Sequence, residues 1–496
     1  MYLELLKLSS PEGILTLTVL CVLALGLASR GSRLPAFVGI IGIAASAVAI
    51  MFLPKTASLF NGMLVVNRLN SLVKLVCLVL SAFAIFLAQE ERPNSSVTSH
   101  LGEYVAMILL ATLGLLLLVG SEELLMIFIG LELTGLSLYI LTAFNSGDVR
   151  SPEAGLKYFL FGSTASAFTL FGLSLIYGMC GSTSLAGMIE GLAGAFQPLL
   201  AVGVVMTLVG FGFKIAAAPF HLWAPDVYEA APISTAALIA SASKVASFVV
   251  LAKLLLLGFG PIIGSAGWHS VAGGWSPVLA AIAALSILLG NFLALVQTNV
   301  RRLLAYSAVA HAGYSLLGIV AGTPEGFSAT LFYATVYGIT ILGAFAVVSW
   351  VRRETGGDNL PHFSALSRRF PLLAVYMAIF MLSLAGLPPL VGFFGKFYLF
   401  SAALDAGQNN GLLWLVGVAL FGSFISLYYY LLIVKAMFVD EPRALPAAEV
   451  AASATAAGMK LDHSGERWVI GFLAAAVLIL GILPDTLLAR IANALT

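Results

Sequence analysis

Four ionisable side chains, Glu132, Lys214, Lys244 and Lys396, stand inside long apolar stretches, and a histidine, His311, stands inside another. A charge at bilayer depth costs about 2.5–3.5 kcal/mol on insertion scales. It is tolerated where it faces a protein interior or water, and residues of this kind mark ion or proton paths by default. An acid, three amines and an imidazole all bind and release protons, so the expected chemistry is proton transfer inside a membrane.

Each residue has a bland reading beside the functional one. Lys214 lies in Phe211-Gly-Phe-Lys214-Ile-Ala-Ala-Ala-Pro219. Pro219 has no N–H for the carbonyl of Ile215, and the freed backbone beside the lysine can draw in water. The alternative is a packing kink with a snorkelling lysine, which needs a place near a helix end. Glu132, near the middle of its stretch, is expected to pair with Lys214 on a neighbouring helix; a purely structural salt bridge is the alternative. Lys244 sits among small residues, Ser241-Ala-Ser243-Lys244, which allow close helix approach and water. A lysine without a carboxylate partner is suited to carrying a proton. Lys253, nearer the end of the same stretch, reads as a snorkelling or secondary residue. His311, with Tyr306, Ser307 and Tyr314 close in sequence, is suited to relaying protons, against the reading of a satisfied core histidine. His221 could guard an access route, and Trp223 beside it reads as an interfacial aromatic anchor.

The elements that hold these residues are membrane spans. The chain has 496 residues, 60% hydrophobic and 9% charged, with a mean hydropathy of +1.04. Soluble domains average about 25% charged residues, so the class is an all-α polytopic membrane protein. Continuous apolar runs exclude a β-barrel, and a net charge of +1 gives no case for nucleic acid. Cys21, Cys77 and Cys180 show neither metal spacing nor a disulfide framework.

A window of about 19 residues separates about fourteen spans: Ile14–Ser29, Ala36–Leu53, Leu69–Ala88, Leu101–Gly120, Leu124–Phe144, Leu156–Met179, Pro198–Phe220, Ile233–Leu257, Ser276–Gln297, Leu303–Ala321, Ala329–Trp350, Pro371–Ala403, Leu412–Phe438 and Trp468–Ala489. The first lacks a basic leader and a small-residue cleavage pattern, and reads as a span rather than a signal peptide. Loops after odd-numbered spans carry Arg30, Arg33, Arg92, Arg150, Arg301, Arg302, Arg352, Arg353, Arg368, Arg369, Arg443, Lys460 and Arg467. Loops after even-numbered spans are mostly acidic or neutral, with Lys55 and Arg68 as exceptions. The positive-inside bias then puts odd loops in the cytoplasm and both termini on the periplasmic side of a bacterial inner membrane. Residues 444–465, rich in alanine, read as a linker before the last span. No other boundary is visible, and the chain reads as one membrane domain.

A weak repeat joins spans seven and twelve. Each is broken by proline and glycine beside a lysine, Lys214 in one and Lys396 in Leu387-Pro388-Pro389-Leu-Val-Gly-Phe-Phe-Gly-Lys396. An odd offset gives them opposite orientations, and paired interrupted segments point to a transport site. There is no P-loop, dinucleotide fingerprint or cysteine cluster, so no redox cofactor or nucleotide site is expected in the chain itself.

Three stretches carry a resemblance: Phe211 to Pro232, with Lys214-Ile-Ala-Ala-Ala-Pro-Phe-His221-Leu-Trp-Ala-Pro-Asp226-Val-Tyr-Glu at its centre; Asn299-Val-Arg-Arg-Leu-Leu-Ala-Tyr306-Ser-Ala-Val-Ala-His311; and Leu387 to Phe397. With Gly130-Leu-Glu132-Leu they resemble the N subunits of proton-pumping NADH:quinone oxidoreductase (respiratory complex I), over spans four to thirteen. The resemblance implies fourteen helices with two inverted five-helix repeats, 101–257 and 276–438, and broken helices seven and twelve. It implies that Glu132 and Lys214 form the input-side pair, that Lys244 is the central carrier, that His311 connects the halves, and that Lys396 is the output-side lysine. It further implies that flavin, iron–sulfur clusters and quinone belong to partner subunits, and that the partners are another antiporter-like subunit and small membrane subunits in the lipid bilayer. The L subunits are similar but end in a long lateral helix for which nothing follows span fourteen; the M subunits carry glutamate where Lys396 stands. Alternatives are a subunit of an Mrp-type sodium/proton antiporter, whose span-seven motif departs from this one, a secondary transporter of organic anions, and a purely structural membrane subunit.

Overall fold

Apolar runs of this length form helices, because a backbone in hydrocarbon has no water to bond and must satisfy its own donors and acceptors. The computed structural model describes residues 2–29, 31–91, 95–192, 197–406, 411–441 and 464–495. Among them twelve helices are long and apolar enough to cross a membrane. Two shorter apolar helices, Pro198–Lys214 and Pro371–Ala385, stand at spans seven and twelve. The helices follow the expected segments in order. The expected linker lies outside the described residues except for Ser464 and Gly465, which begin the last span. Arg30, Arg92, Arg443 and Lys460 also lie outside them.

Three local differences have physical causes. The last span stops at Ile482, short of the expected Ala489. Pro484 cannot continue the ladder, and a separate helix, Asp485–Leu495, follows. Span twelve is two helices, Pro371–Ala385 and Val391–Ala406, separated at Gly386, whose φ is +86°. A short antiparallel hairpin, Ala57–Leu59 with Leu64–Val66, fills the loop after span two, an element that an all-helical reading leaves out.

Burial divides the bundle. Span eight (Ile233–Gly258), span ten (Val300–Val320) and span eleven (Pro324–Thr355) are almost wholly covered by protein. Spans one, two, six, thirteen and fourteen leave most of their surface open, with residues such as Leu27, Phe171, Phe424 and Phe472 turned outward. Lys244 and His311 therefore sit on the most enclosed helices. Spans nine and ten pack as a close hairpin: a Cβ on Gly290 would lie 2.5 Å from the backbone N of Ala310.

Candidate functional site

The break in span seven falls directly after Lys214, the last residue of Pro198–Lys214. The helix therefore ends well before Pro219, and Ala216 takes a left-handed φ of +57°. Freed backbone groups find specific partners. Trp223 Nε1 donates to the carbonyl of Phe213 at 3.1 Å, and the amide of Ala218 donates to Ser286 Oγ at 2.8 Å. Trp223 is thus no interfacial anchor. It is buried and stacked on Tyr158, with ring centroids 4.2 Å apart, and its N–H finds an acceptor at the break.

Glu132 and Lys214 meet across a small cavity rather than in a direct ion pair. Glu132 accepts a hydrogen bond from Ser166 Oγ. Lys214 Nζ points at the carbonyl of Leu131 at 3.5 Å. Both line a cavity of about 20 Å³ together with Tyr139, Ser166 and Thr169. One water needs about 10–15 Å³, so a single water fits between acid and amine. The expected direct pair becomes a pair with room for one bridging water.

Lys244 follows a π-helical turn, Ile239–Ser243, a distortion that often marks functional positions. Its Nζ donates to the carbonyl of Ala308 at 2.8 Å and stands 5.7 Å from the centre of the Tyr337 ring. His311 lies against the same ring at 4.8 Å. It is bonded on both nitrogens: Nδ1 to the Tyr333 hydroxyl at 2.6 Å and Nε2 to the Tyr430 hydroxyl at 2.9 Å. Ser307 Oγ also bonds Tyr430. Tyr429 next to it bonds Asn291, which donates to the Tyr314 hydroxyl at 3.0 Å. The Tyr314 ring in turn lies 5.0 Å from Lys396 Nζ. Lys396 donates to the carbonyl of Ala385 and to Ser423 Oγ, each at 2.9 Å. Lys244, His311 and Lys396 are thus joined by tyrosines and one asparagine. Of these, the sequence singled out only Tyr314 and Ser307; Asn291, Tyr333, Tyr337, Tyr429 and Tyr430 carry no charge, and tyrosine is ordinary in an apolar run. The triple Tyr428-Tyr429-Tyr430 in span thirteen was the available signal.

The remaining expectations divide. His221 is buried beside Tyr306, ring centroids 6.4 Å apart, with its Nδ1 unpartnered among the described residues. It stands at the break without joining the run above. Lys253 does not snorkel. It is buried, and its Nζ reaches Asn70 Oδ1 and the carbonyl of Val119. Asp226, Glu229, Arg301 and Arg302 brace the break. Arg301 Nε donates to the carbonyl of Tyr228 at 2.8 Å, and its Nη2 bonds that of Ala231. Arg302 bridges Asp226 and Glu229 at 2.8 and 3.0 Å. Among the described residues no group of His, Cys, Asp or Glu could hold a metal ion.

Residues 121–426 match the family described as NADH:quinone oxidoreductase/Mrp antiporter, TM. A relative named NADH-quinone oxidoreductase subunit N 2, from Acidobacterium capsulatum, is 45% identical, with 98% of each chain covered. NADH-quinone oxidoreductase subunit N of Desulfovibrio desulfuricans is 37% identical over 97% of this chain and 94% of its own. Among solved structures, a chain of respiratory complex I from Thermus thermophilus superposes with a TM-score of 0.79 at 31% identity, covering 97% of this chain and 98% of that one. A chain of the Mrp complex from Dietzia sp. gives 0.82 at 22% identity, covering 99% and 97%, a likeness of fold alone.

Proposed function

The chain belongs to the NADH:quinone oxidoreductase/Mrp antiporter membrane family, among the subunit N members of NADH-quinone oxidoreductase, and on that premise we propose that it moves protons across the membrane through Glu132, Lys214, Lys244, His311 and Lys396. The observation that carries this reading is a line of buried groups from Lys244 to Lys396: the Tyr337 ring borders both Lys244 and His311, hydrogen bonds join His311 to Tyr430 and Tyr429 through Asn291 to Tyr314, the Tyr429 and Tyr430 rings touch, and the Tyr314 ring faces Lys396. Two buried lysines and a histidine along one such line are expensive in a membrane and mark a proton path by default.

Each residue has a role. Glu132, half-buried at the edge of the bundle, takes a proton and passes it through the cavity water to Lys214. Among the described residues Lys244 meets a carbonyl and an aromatic ring and no carboxylate that would fix its charge. His311, bonded to a hydroxyl on each side, hands a proton in at one nitrogen and out at the other. Lys396 receives it among neutral partners. His221 is an accessory group at the break. The two broken spans belong to two inverted repeats, 101–257 and 276–438.

Quinone reduction in neighbouring subunits drives the cycle. Flavin, iron–sulfur clusters and quinone sit in those partners, and the partners include another antiporter-like subunit and small membrane subunits. Both termini lie on the periplasmic side. The test is the ratio of protons moved to NADH oxidised in the assembled, membrane-reconstituted complex. Lys244→Ala should lower it. A normal ratio in an assembled Lys244→Ala complex overturns the reading.

A further inference from the structure

A second set of buried charges lies outside this run, at the far end of span eight. The α-helical part of that span, Lys244–Lys253, begins and ends on a lysine, and each lysine adjoins a π-helical turn, Ile239–Ser243 on one side and Leu254–Gly258 on the other. Lys253 is only 1% exposed. Its Nζ donates to the carbonyl of Val119 at 3.0 Å and to Asn70, and lies 3.6 Å from Glu122 Oε1. Glu122 differs in one respect: its side chain is 28% exposed.

What exposes Glu122 is a chamber of about 860 Å³, lined also by Lys253, Lys55, Arg68, Leu256 and Ile263. Its walls come from the loops after spans two, four, eight and ten and from the last residues described, all on one face of the bundle. Lys55 and Arg68, the two cations that break the charge bias of the loops, are both here. A dry amine therefore touches a carboxylate that water can reach, across the boundary between chamber and interior.

Lys244 and Lys253 are about 13 Å apart along the helix, too far for one transfer. Span three (Arg68–Gln89) packs along span eight and supplies what lies between. Asn70, Lys74, Cys77 and Ser81 recur at helical spacing on one face and are all buried. Asn70 touches Lys253, and Cys77 Sγ lies 3.9 Å from the carbonyl of Ala242, two residues before Lys244. Ser81 Oγ is a buried group without a partner among the described residues. Lys74 is held by Glu12 at 2.6 Å.

We propose that the Lys253–Glu122 pair is the inner gate of a proton mouth, linking Lys244 to the chamber along the polar stripe of span three. This rests on the proton-carrying role of Lys244. A proton on Lys253 passes to the Glu122 carboxylate, which releases it to chamber water; the reverse step loads the lysine. No bond other than N–H and O–H changes.

Three variants of the assembled complex test it. Leu256→Cys puts a thiol on the chamber wall, and a membrane-impermeant charged thiol reagent applied from that face should reduce proton movement in this variant and leave the unaltered complex unaffected. Glu122→Gln, nearly isosteric, should lower the proton-to-NADH ratio while assembly survives. Lys253→Arg, which keeps the charge, should lower the ratio as well because guanidinium does not give up its proton. A Leu256→Cys complex that does not react with the reagent, or a normal ratio in assembled Glu122→Gln and Lys253→Arg complexes while Lys244→Ala lowers it, overturns the mouth alone. A normal ratio in Lys244→Ala overturns both readings.

Discussion

The two broken spans bury a lysine in different ways. Lys214 stands 3.5 Å from a carbonyl and shares a one-water cavity with a carboxylate. Lys396 makes two 2.9 Å bonds, to a carbonyl and a serine, faces a tyrosine ring, and has no acidic partner among the described residues. The breaks themselves differ too. The first, residues 215–222, is braced by a charged lattice of Asp226, Glu229, Arg301 and Arg302. The second is a short turn at Gly386, closed by the Gly392 amide on Ser383 Oγ at 3.3 Å. A lysine beside an acid has its charge tied to that acid; a lysine among neutral dipoles does not. On the proposed path, the first lysine would be switched by its neighbouring carboxylate and the second would respond to its hydrogen bonds.

The largest effects come from removing the amines. Lys214→Met and Lys396→Met should each lower proton-coupled turnover of the assembled complex by ~10²-fold or more, the scale of losing a positioned proton carrier. Lys→Arg should not restore either. Full turnover in one of them would leave only the other break on the path.

Next in size is the coupling that separates the two sites. Glu132→Gln and Lys214→Met should be non-additive by about 0.5–3 kcal/mol, as groups sharing one cavity are. Glu132→Gln and Lys396→Met should add. A double-mutant cycle on proton-coupled activity reads both, and additive effects in the first cycle would mean that Glu132 and Lys214 work separately. At the second site, Ser423→Ala removes one of two strong bonds to Lys396. Bonds to charged groups contribute about 1.5–3 kcal/mol, so turnover should fall by less than in Lys396→Met. The Glu132–Lys214 coupling energy, measured in the Ser423→Ala background, should stay the same.

Much of this was legible in the residues because the membrane makes polar atoms conspicuous. Glu132, Lys214, Lys244, His311 and Lys396 stand out against hydropathy, and proline beside lysine marks both breaks. Side-chain direction was not legible. Lys253 looked close enough to a span end to snorkel, yet spans three and four enclose it. Trp223 reads as interfacial by type, but its N–H bonds the carbonyl of Phe213 and its ring stacks on Tyr158 inside the bundle. The tyrosines around His311 come from spans eleven and thirteen, and only packing shows that their hydroxyls meet one imidazole. Glu12 precedes the expected start of the first span and Lys74 stands near the start of the third, so nothing in the sequence pairs them; their 2.6 Å contact does.

The smallest effect concerns the brace on the first break. Asp358, in the loop after span eleven, accepts from Arg301 Nη1 at 3.4 Å and lies 3.5 Å from Arg352. Burial pushes its carboxyl up, but the two guanidinium groups outweigh that and hold it below the ordinary value of 3.8. A carboxyl depressed in the folded state adds stability above its unfolded pKa and loses it as pH falls through the folded one. Asp358→Asn keeps a carbonyl acceptor beside the buried Arg301 and should lose about 1 kcal/mol at neutral pH, the difference between a hydrogen bond to a charged group and one to a neutral group. Arg301 also holds the carbonyls of Tyr228 and Ala231, so the loosening should travel to the first break and stop there. Amide hydrogen exchange resolves it: residues 215–232 should exchange about fivefold faster in Asp358→Asn, while residues 386–392 keep their wild-type rates. Acidifying the wild-type complex below the ordinary carboxylate range should do the same, once exchange is corrected for its intrinsic pH dependence. Equal loss of protection at both breaks would mean that the charged lattice supports the bundle as a whole, and the contrast between a charge-braced break and a neutral one would fall.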